Sequence, residues 1–222
     1  MSKKETNENF NKIRDRTSQE LLVRKYEFLK ICKILDDLEV EYFLQTGILL
    51  GAVRNNDFIP WDWDIEISVF SDNFAPHIDN VANKLKENDF KIKNINRKTK
   101  EIKIDFLGKY PENVTGYTIF GWNYSKINDC YWRKEFNVPS KFLNSFSQIT
   151  FFGRKFNCPY KPEEYLTHAY GNWRKPLRSS NKKVYFNKTF KINNLYLYNK
   201  IKNTILRILY NLWCKLRNKK NF

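Results

Sequence analysis

Apolar positions recur at helical spacing through Leu22, Tyr26, Leu29, Cys32 and Leu35, with Leu38 following. This stripe predicts an amphipathic helix laid on a core. Val40, Tyr42 and Leu44 then alternate with Glu41, Phe43 and Gln45, the period of a short strand, and Thr46-Gly47 breaks it ahead of the helix-like segment ILLGAVR. Asp62 to Phe70 reads as the next strand, residues 76 to 87 behind Pro76 as a helix, and Phe90 to Ile95 and Ile102 to Phe106 as two further strands. Tyr110 to Ser147 is aromatic and polar without a dominant period and gives no assignment. The segment ITFFGRKFNCP predicts a hairpin turning at Gly153-Arg154, and Lys161 to Ala169 a helix entered at Pro162 with Glu163 and Glu164 at its positive end. Helices alternating with short strands define an α/β (α+β) chain.

The two ends differ from this body. Residues 1–18 are polar and mixed in charge and read as a flexible leader, leaving 19–190 as the main domain. From 191 to 222 there are eight Lys or Arg and no acid, half of the chain's net charge of +16. Ile201, Ile205, Ile208, Leu209, Leu212 and Leu216 form an apolar series there, so a basic amphipathic helix is expected, either docked on the domain or lying on an anionic membrane. With 41% hydrophobic and 17% aromatic residues in 222, a packed core is within reach and wholesale disorder is excluded. No run approaches the roughly 18 apolar residues of a membrane span, and the polar N-terminus shows no secretory signal, so a cytoplasmic protein is expected. Cys32, Cys130, Cys158 and Cys214 make no CxxC pair, and His77 and His168 are the only imidazoles; any metal must be held by carboxylates.

Such carboxylates occur in Ile59-Pro60-Trp61-Asp62-Trp63-Asp64-Ile65-Glu66-Ile67. Alternation places Asp62, Asp64 and Glu66 on one strand face, with Trp61, Trp63, Ile65 and Ile67 on the other. Three like charges at this spacing repel one another, which a divalent cation relieves, and oxygen-only ligands favour Mg²⁺ or Mn²⁺. Asp105, opposite Ile104 and Phe106 on a second strand, adds the carboxylate that a two-metal phosphoryl-transfer site needs. Gln45-Thr46-Gly47, ending a strand at a helix start, suits close approach of a phosphate, and Arg54 follows that helix as a candidate counter-charge.

Thr46 to Arg54, then Asp57-Phe58-Ile59-Pro60-Trp61-Asp62-Trp63-Asp64-Ile65-Glu66-Ile67, closely resemble the signature of the LicD family, which includes bacterial phosphocholine transferases and the related fukutin-type proteins. Pro162 to Leu166 with Tyr170-Gly171-Asn172-Trp173-Arg174-Lys175-Pro176 looks like the family's C-terminal motif, so the resemblance covers approximately 20 to 177. It implies a nucleotidyltransferase-like fold, a small mixed sheet flanked by helices. It also implies transfer of a phosphorylated alcohol, phosphocholine or a phospho-alditol, from a CDP-activated donor to a glycan or lipid-linked glycan acceptor. Carried over by position, Asp62, Asp64 and Glu66 are the acidic motif and Asp105 the third-strand acid, while Tyr170, Trp173 and Arg174 join Gln45, Thr46, Gly47 and Arg54 as substrate-binding candidates. Glu66 stands where the family usually has Asp, and Trp63 where relatives are often acidic. Two rivals use the same residues: a nucleotidyltransferase acting on a small molecule or RNA, and a non-catalytic basic module on the same fold. The sequence shows no RNP-type or zinc-finger signature, which weighs against nucleic acid.

Overall fold

The computed structural model describes residues 14–110, 115–179, 181–191, 204–206 and 208–210. Most of the expected leader and basic tail lies outside these residues. The described tail residues are helical, with Ile205, Ile208 and Leu209 about half exposed.

Helix α1 (Ser18–Asp37) begins at Thr17 with a reciprocal capping box: the Thr17 hydroxyl accepts from the Glu20 N–H and the Glu20 carboxylate accepts from the Thr17 N–H. Its buried face differs from the apolar stripe. Leu22 and Tyr26 are exposed, while Arg24 and Glu27 are buried beside Phe28, Ile31, Cys32 and Leu35. Both charged residues find partners there that are distant in sequence. Arg24 donates to the Asp62 carbonyl (2.9 Å), and the Glu27 carboxylate accepts from the Lys109 N–H (2.7 Å) and the Tyr117 hydroxyl (2.8 Å). Burial pushes the Glu27 carboxyl above its usual range.

Strand β1 (Phe43–Leu44) is shorter than the alternation suggested and covered on both faces. Then come α2 (Thr46–Asn55), β2 (Asp64–Phe70), α3 (Ser71–Phe74) and α4 (Ile78–Glu87). Strands β3 (Lys91–Asn96) and β4 (Lys103–Leu107) follow as expected. The unassigned stretch contains β5 (Gly116–Ser125), β6 (Cys130–Arg133) and β7 (Phe136–Pro139).

These seven strands form one mixed sheet in the order β1-β2-β5-β4-β3, with β6 on the far half of β5 and β7 on β6. β2 and β5 are parallel, with Glu66 opposite Thr118; β4 and β5 are antiparallel, with Asp105 opposite the same Thr118. A separate hairpin, β8 (Phe146–Phe151) and β9 (Arg154–Pro159), turns at Phe152 and Gly153, both with φ positive, rather than at Gly153-Arg154; this is the backbone a tight two-residue turn demands, and Arg154 already pairs with Phe151. Helix α5 (Pro162–Tyr170) and the short α6 (Lys182–Tyr185) and α7 (Lys188–Lys191) complete the domain.

The sheet separates two apolar clusters. Ile65, Ile67 and Val69 of β2 face the cluster shared with α1 and α4. The opposite side holds Phe43, Leu49, Trp122, Val138, Tyr165 and Phe190, packed with α2 and α5. On that second side β2 presents Asp64, Glu66, Ser68 and Phe70: Ser68 is fully buried, whereas Asp64 and Glu66 at the strand's start remain half-buried. The second layer covers the end of the strand and leaves its acidic beginning open.

Candidate active site

The opening left there is a cleft of about 140 Å³. Its floor is Asp62, Asp64 and Glu66 with Thr46 and Gly47 at the N-terminus of α2. Aromatic walls come from Trp61, Trp63, Tyr170, Trp173, Tyr185 and Phe186, and Arg54, Arg133 and Lys175 supply cations.

β2 begins only at Asp64. Upstream, residues 60 and 61 form a turn closed by the Asp62 N–H bonding the Ile59 carbonyl (3.0 Å). The strand alternation therefore does not extend back to Trp61 and Trp63, which line the same cleft as the acids instead of the opposite face. Asp62 sits against α2: a Cβ built on Gly47 would lie 2.6 Å from Asp62 Oδ2, so the glycine makes room for this carboxylate. Gln45 provides no side-chain cap for α2, and an anion beside a helix N-terminus is favoured by its dipole. Thr46, a β-branched residue, has φ +51°, a strained backbone of the kind held at functional sites.

Burial pushes the Asp62 carboxyl up; Arg24 opposes this and the Glu66 charge adds to it. Burial also raises Tyr170 and Tyr185, and in both cases the negative charge of the acids contributes. Arg133 lies 3.6 Å from Glu66 Oε2 and 3.2 Å over the Phe120 ring, with Trp122 and Phe136 also beside it. Arg54 reaches the Trp173 carbonyl (3.5 Å), and burial lowers its pKa. Arg54 Nη2 and Arg133 Nε are buried and find no hydrogen-bond partner among the described residues. Two guanidinium groups with spare donors beside carboxylates and a helix N-terminus suit a phosphorylated ligand.

The other expected residues lie elsewhere. Gln45 is fully buried, accepting from the Ser68 hydroxyl (2.9 Å), and does not reach the cleft. Arg174 is exposed, paired with Glu163 and stacked on Trp173 (4.2 Å). Asp105 is bonded by Thr118 (3.1 Å), Asn94 (3.2 Å) and Lys103 (2.8 Å), which together hold its carboxyl below the usual range despite burial. It lines a second groove, which shares Glu66 and Arg133 with the cleft. Arg133 and Tyr185 were not singled out by sequence. Arg133 falls in the stretch without a period, and Tyr185 lies beyond the family-like motifs, so neither carries a local signal.

Residues 39–161, more than half of the chain, match the LicD/FKTN/FKRP nucleotidyltransferase domain. The chain belongs to the LicD family. The match encloses α2, the acidic segment, Asp105 and Arg133, whereas Tyr170, Trp173 and Lys175 follow it. Two curated proteins, the ribitol 5-phosphate transferase FKRP of Mus musculus and that of Homo sapiens, are each 43% identical to it over 37 residues. That alignment spans 17% of this chain and 8% of either relative.

Among the described residues no three acids, histidines or cysteines form a ready cation cage. Mg²⁺ is commonly bound through one or two carboxylates together with substrate phosphates, so Asp62 and Asp64, with Glu66 beside them, fit a site that a phosphorylated ligand would complete. Among the described residues no helix is long and apolar enough to cross a membrane.

Proposed function

We propose that this LicD-family domain transfers a phosphorylated alcohol from a CDP-activated donor to a hydroxyl of a glycan or lipid-linked glycan acceptor. The observation that carries the reading is the convergence, in one aromatic-walled cleft, of three acids, an uncapped helix N-terminus and two guanidinium groups with spare donors. The names of the partial relatives favour a phospho-alditol as cargo.

Asp62, Asp64 and Glu66 would hold Mg²⁺ or Mn²⁺, which supplies charge neutralisation and orientation at the phosphates. Arg54 and Arg133 bind the non-bridging oxygens, and the first N–H groups of α2 receive a phosphate beside Gly47. Trp61, Trp63 and Tyr185 form apolar walls that exclude water from the transfer. Outside the cleft, the basic residues of 191–222 would hold the enzyme on the cytoplasmic face of an anionic membrane, beside a lipid-linked acceptor.

Incubation with CDP-ribitol, CDP-glycerol or CDP-choline and Mg²⁺ tests the assignment. Release of CMP is expected. Pyrophosphate from an NTP, with no CMP from any of the three, would instead establish nucleotidyl transfer.

A further inference from the structure

A transferase with two substrates needs two binding places that meet at the reacting atoms, and only one is accounted for by the cleft. Resting on the CDP-alcohol reading above, we infer that the second groove, on the β4–β5 side of Glu66, is the acceptor site and takes an uncharged, polyhydroxylated ligand.

The groove, of about 90 Å³, shares with the cleft two residues, Glu66 and Arg133. Its floor is one cross-strand row: Thr118 of β5 lies opposite both Glu66 of β2 and Asp105 of β4. Neighbouring strands run about 4.8 Å apart, so the row spans about 10 Å, the length of one or two sugar rings. Its charges cancel. Lys103 pairs with Asp105 (2.8 Å), Lys134 with Glu101 (2.8 Å), and Arg133 faces Glu66 (3.6 Å). Such a surface has no net attraction for a nucleotide phosphate, which the cleft, lined also by Arg54 and Lys175, serves better. It offers paired donors and acceptors at short intervals, which is what vicinal hydroxyls require.

An acceptor hydroxyl placed over Thr118 can attack the phosphorus that bears the alcohol. The new bond joins the acceptor oxygen to that phosphorus and the bond to the bridging oxygen breaks. CMP leaves with the electron pair, and the hydroxyl proton passes to a carboxylate of the row.

The test compares the wild type with the double variant Glu101→Ala/Lys134→Ala. Both side chains are partly exposed, and removing them together preserves neutrality and costs little stability. CMP release is measured with a CDP-alcohol donor and Mg²⁺, with ribitol and the methyl glycosides of glucose, galactose and N-acetylgalactosamine as acceptor probes. The double variant should raise the KM of a stimulating acceptor about tenfold while the donor KM moves less than about twofold. An unchanged acceptor KM, or a wild type that hydrolyses donor but is stimulated by none of these probes, overturns the groove assignment and leaves the CDP-alcohol reading standing. No CMP from any donor overturns both.

Discussion

Gly47→Ala separates the site's geometry from the fold's stability. The added Cβ would lie 2.6 Å from Asp62 Oδ2, where ordinary contact begins near 3.4 Å, so the carboxylate must retreat by about 0.8 Å. The atom that yields is the tip of a side chain, and φ of Gly47 is not in the left-handed region, so the backbone can stay where it is. Alanine also has the higher helix propensity, worth up to about 1 kcal/mol. The melting temperature should hold or rise slightly. Turnover should not: a displacement near 1 Å in a group that positions the reaction costs on the order of a hundredfold, or about 2.7 kcal/mol of transition-state stabilisation.

Gly51→Ala, in the same helix, is the contrasting case. There the Cβ meets the main-chain carbonyl of Asp57 and the backbone of Phe58 and Ile59, none of which can swing aside, so that variant should lose about 2 kcal/mol or more of stability. Thermal melts and CMP release on both proteins, with a crystal structure of Gly47→Ala, are the measurements. If Gly47→Ala keeps turnover within about threefold of wild type, or melts as early as Gly51→Ala, Asp62 is not the group whose placement that glycine serves.

Further outcomes follow from neighbouring residues. Asp64→Asn should lower turnover by at least about a hundredfold with little change in melting, because it removes a charge proposed to hold the cation from a strand whose acids repel one another; near wild-type rates would remove Asp64 from the site. Arg133→Met should keep the packing on Phe120 yet raise the donor KM about tenfold, and an unchanged donor KM would confine Arg133 to a structural role. Arg14 holds the Glu20 carboxyl at about 2, below its ordinary value of 4.5, so its stabilisation is full above pH 4.5 and lost as pH falls toward 2. After discounting for solvent screening this is worth about 1 kcal/mol, and urea melts of Glu20→Gln should show a correspondingly flatter acid limb than wild type. Removing 192–222 retains the buried Phe190 and should leave a folded enzyme that no longer sediments with anionic vesicles at low salt; persistent sedimentation would place the membrane contact elsewhere.

What the sequence revealed depended on how local the governing physics is. Asp64 and Glu66 were legible because period-2 alternation is enforced by pleating within a paired strand, and β2 is paired from Asp64 onward. The same rule misplaced Trp61 and Trp63, since the turn at 60 and 61 precedes the strand. Gln45 looked like a phosphate-loop residue from its neighbours, yet its side chain points into the core toward Ser68. Arg133 and Tyr185 reach the cleft from β6 and α6, so their roles depend on tertiary packing that no short period records. The stripe on α1 held at Leu29, Cys32, Leu35 and Leu38 and failed at Leu22 and Tyr26 for a related reason: apolar spacing identifies a buried face only where that face is apolar, and here its first half carries a guanidinium and a carboxylate whose partners lie between residues 62 and 117.

Those buried charges connect the fold to the site. Desolvating a guanidinium costs several kcal/mol, and Arg24 recovers this only partly through the Asp62 carbonyl and the Thr115 hydroxyl (3.4 Å), with its Nη2 left without a partner among the described residues. An apolar side chain of similar volume would pack there at lower cost, so the stability of α1 does not account for the arginine. Its position does. Arg24 bonds the main chain of Asp62 and its charge opposes the rise in that carboxyl's pKa, while Gly47 admits the carboxylate to the end of α2. The acid ahead of β2 lies outside the sheet's hydrogen-bond ladder, so the pleat cannot fix it as it fixes Asp64 and Glu66. Two helices, α1 and α2, hold it instead, and the buried arginine is the part of that clamp that comes from the core.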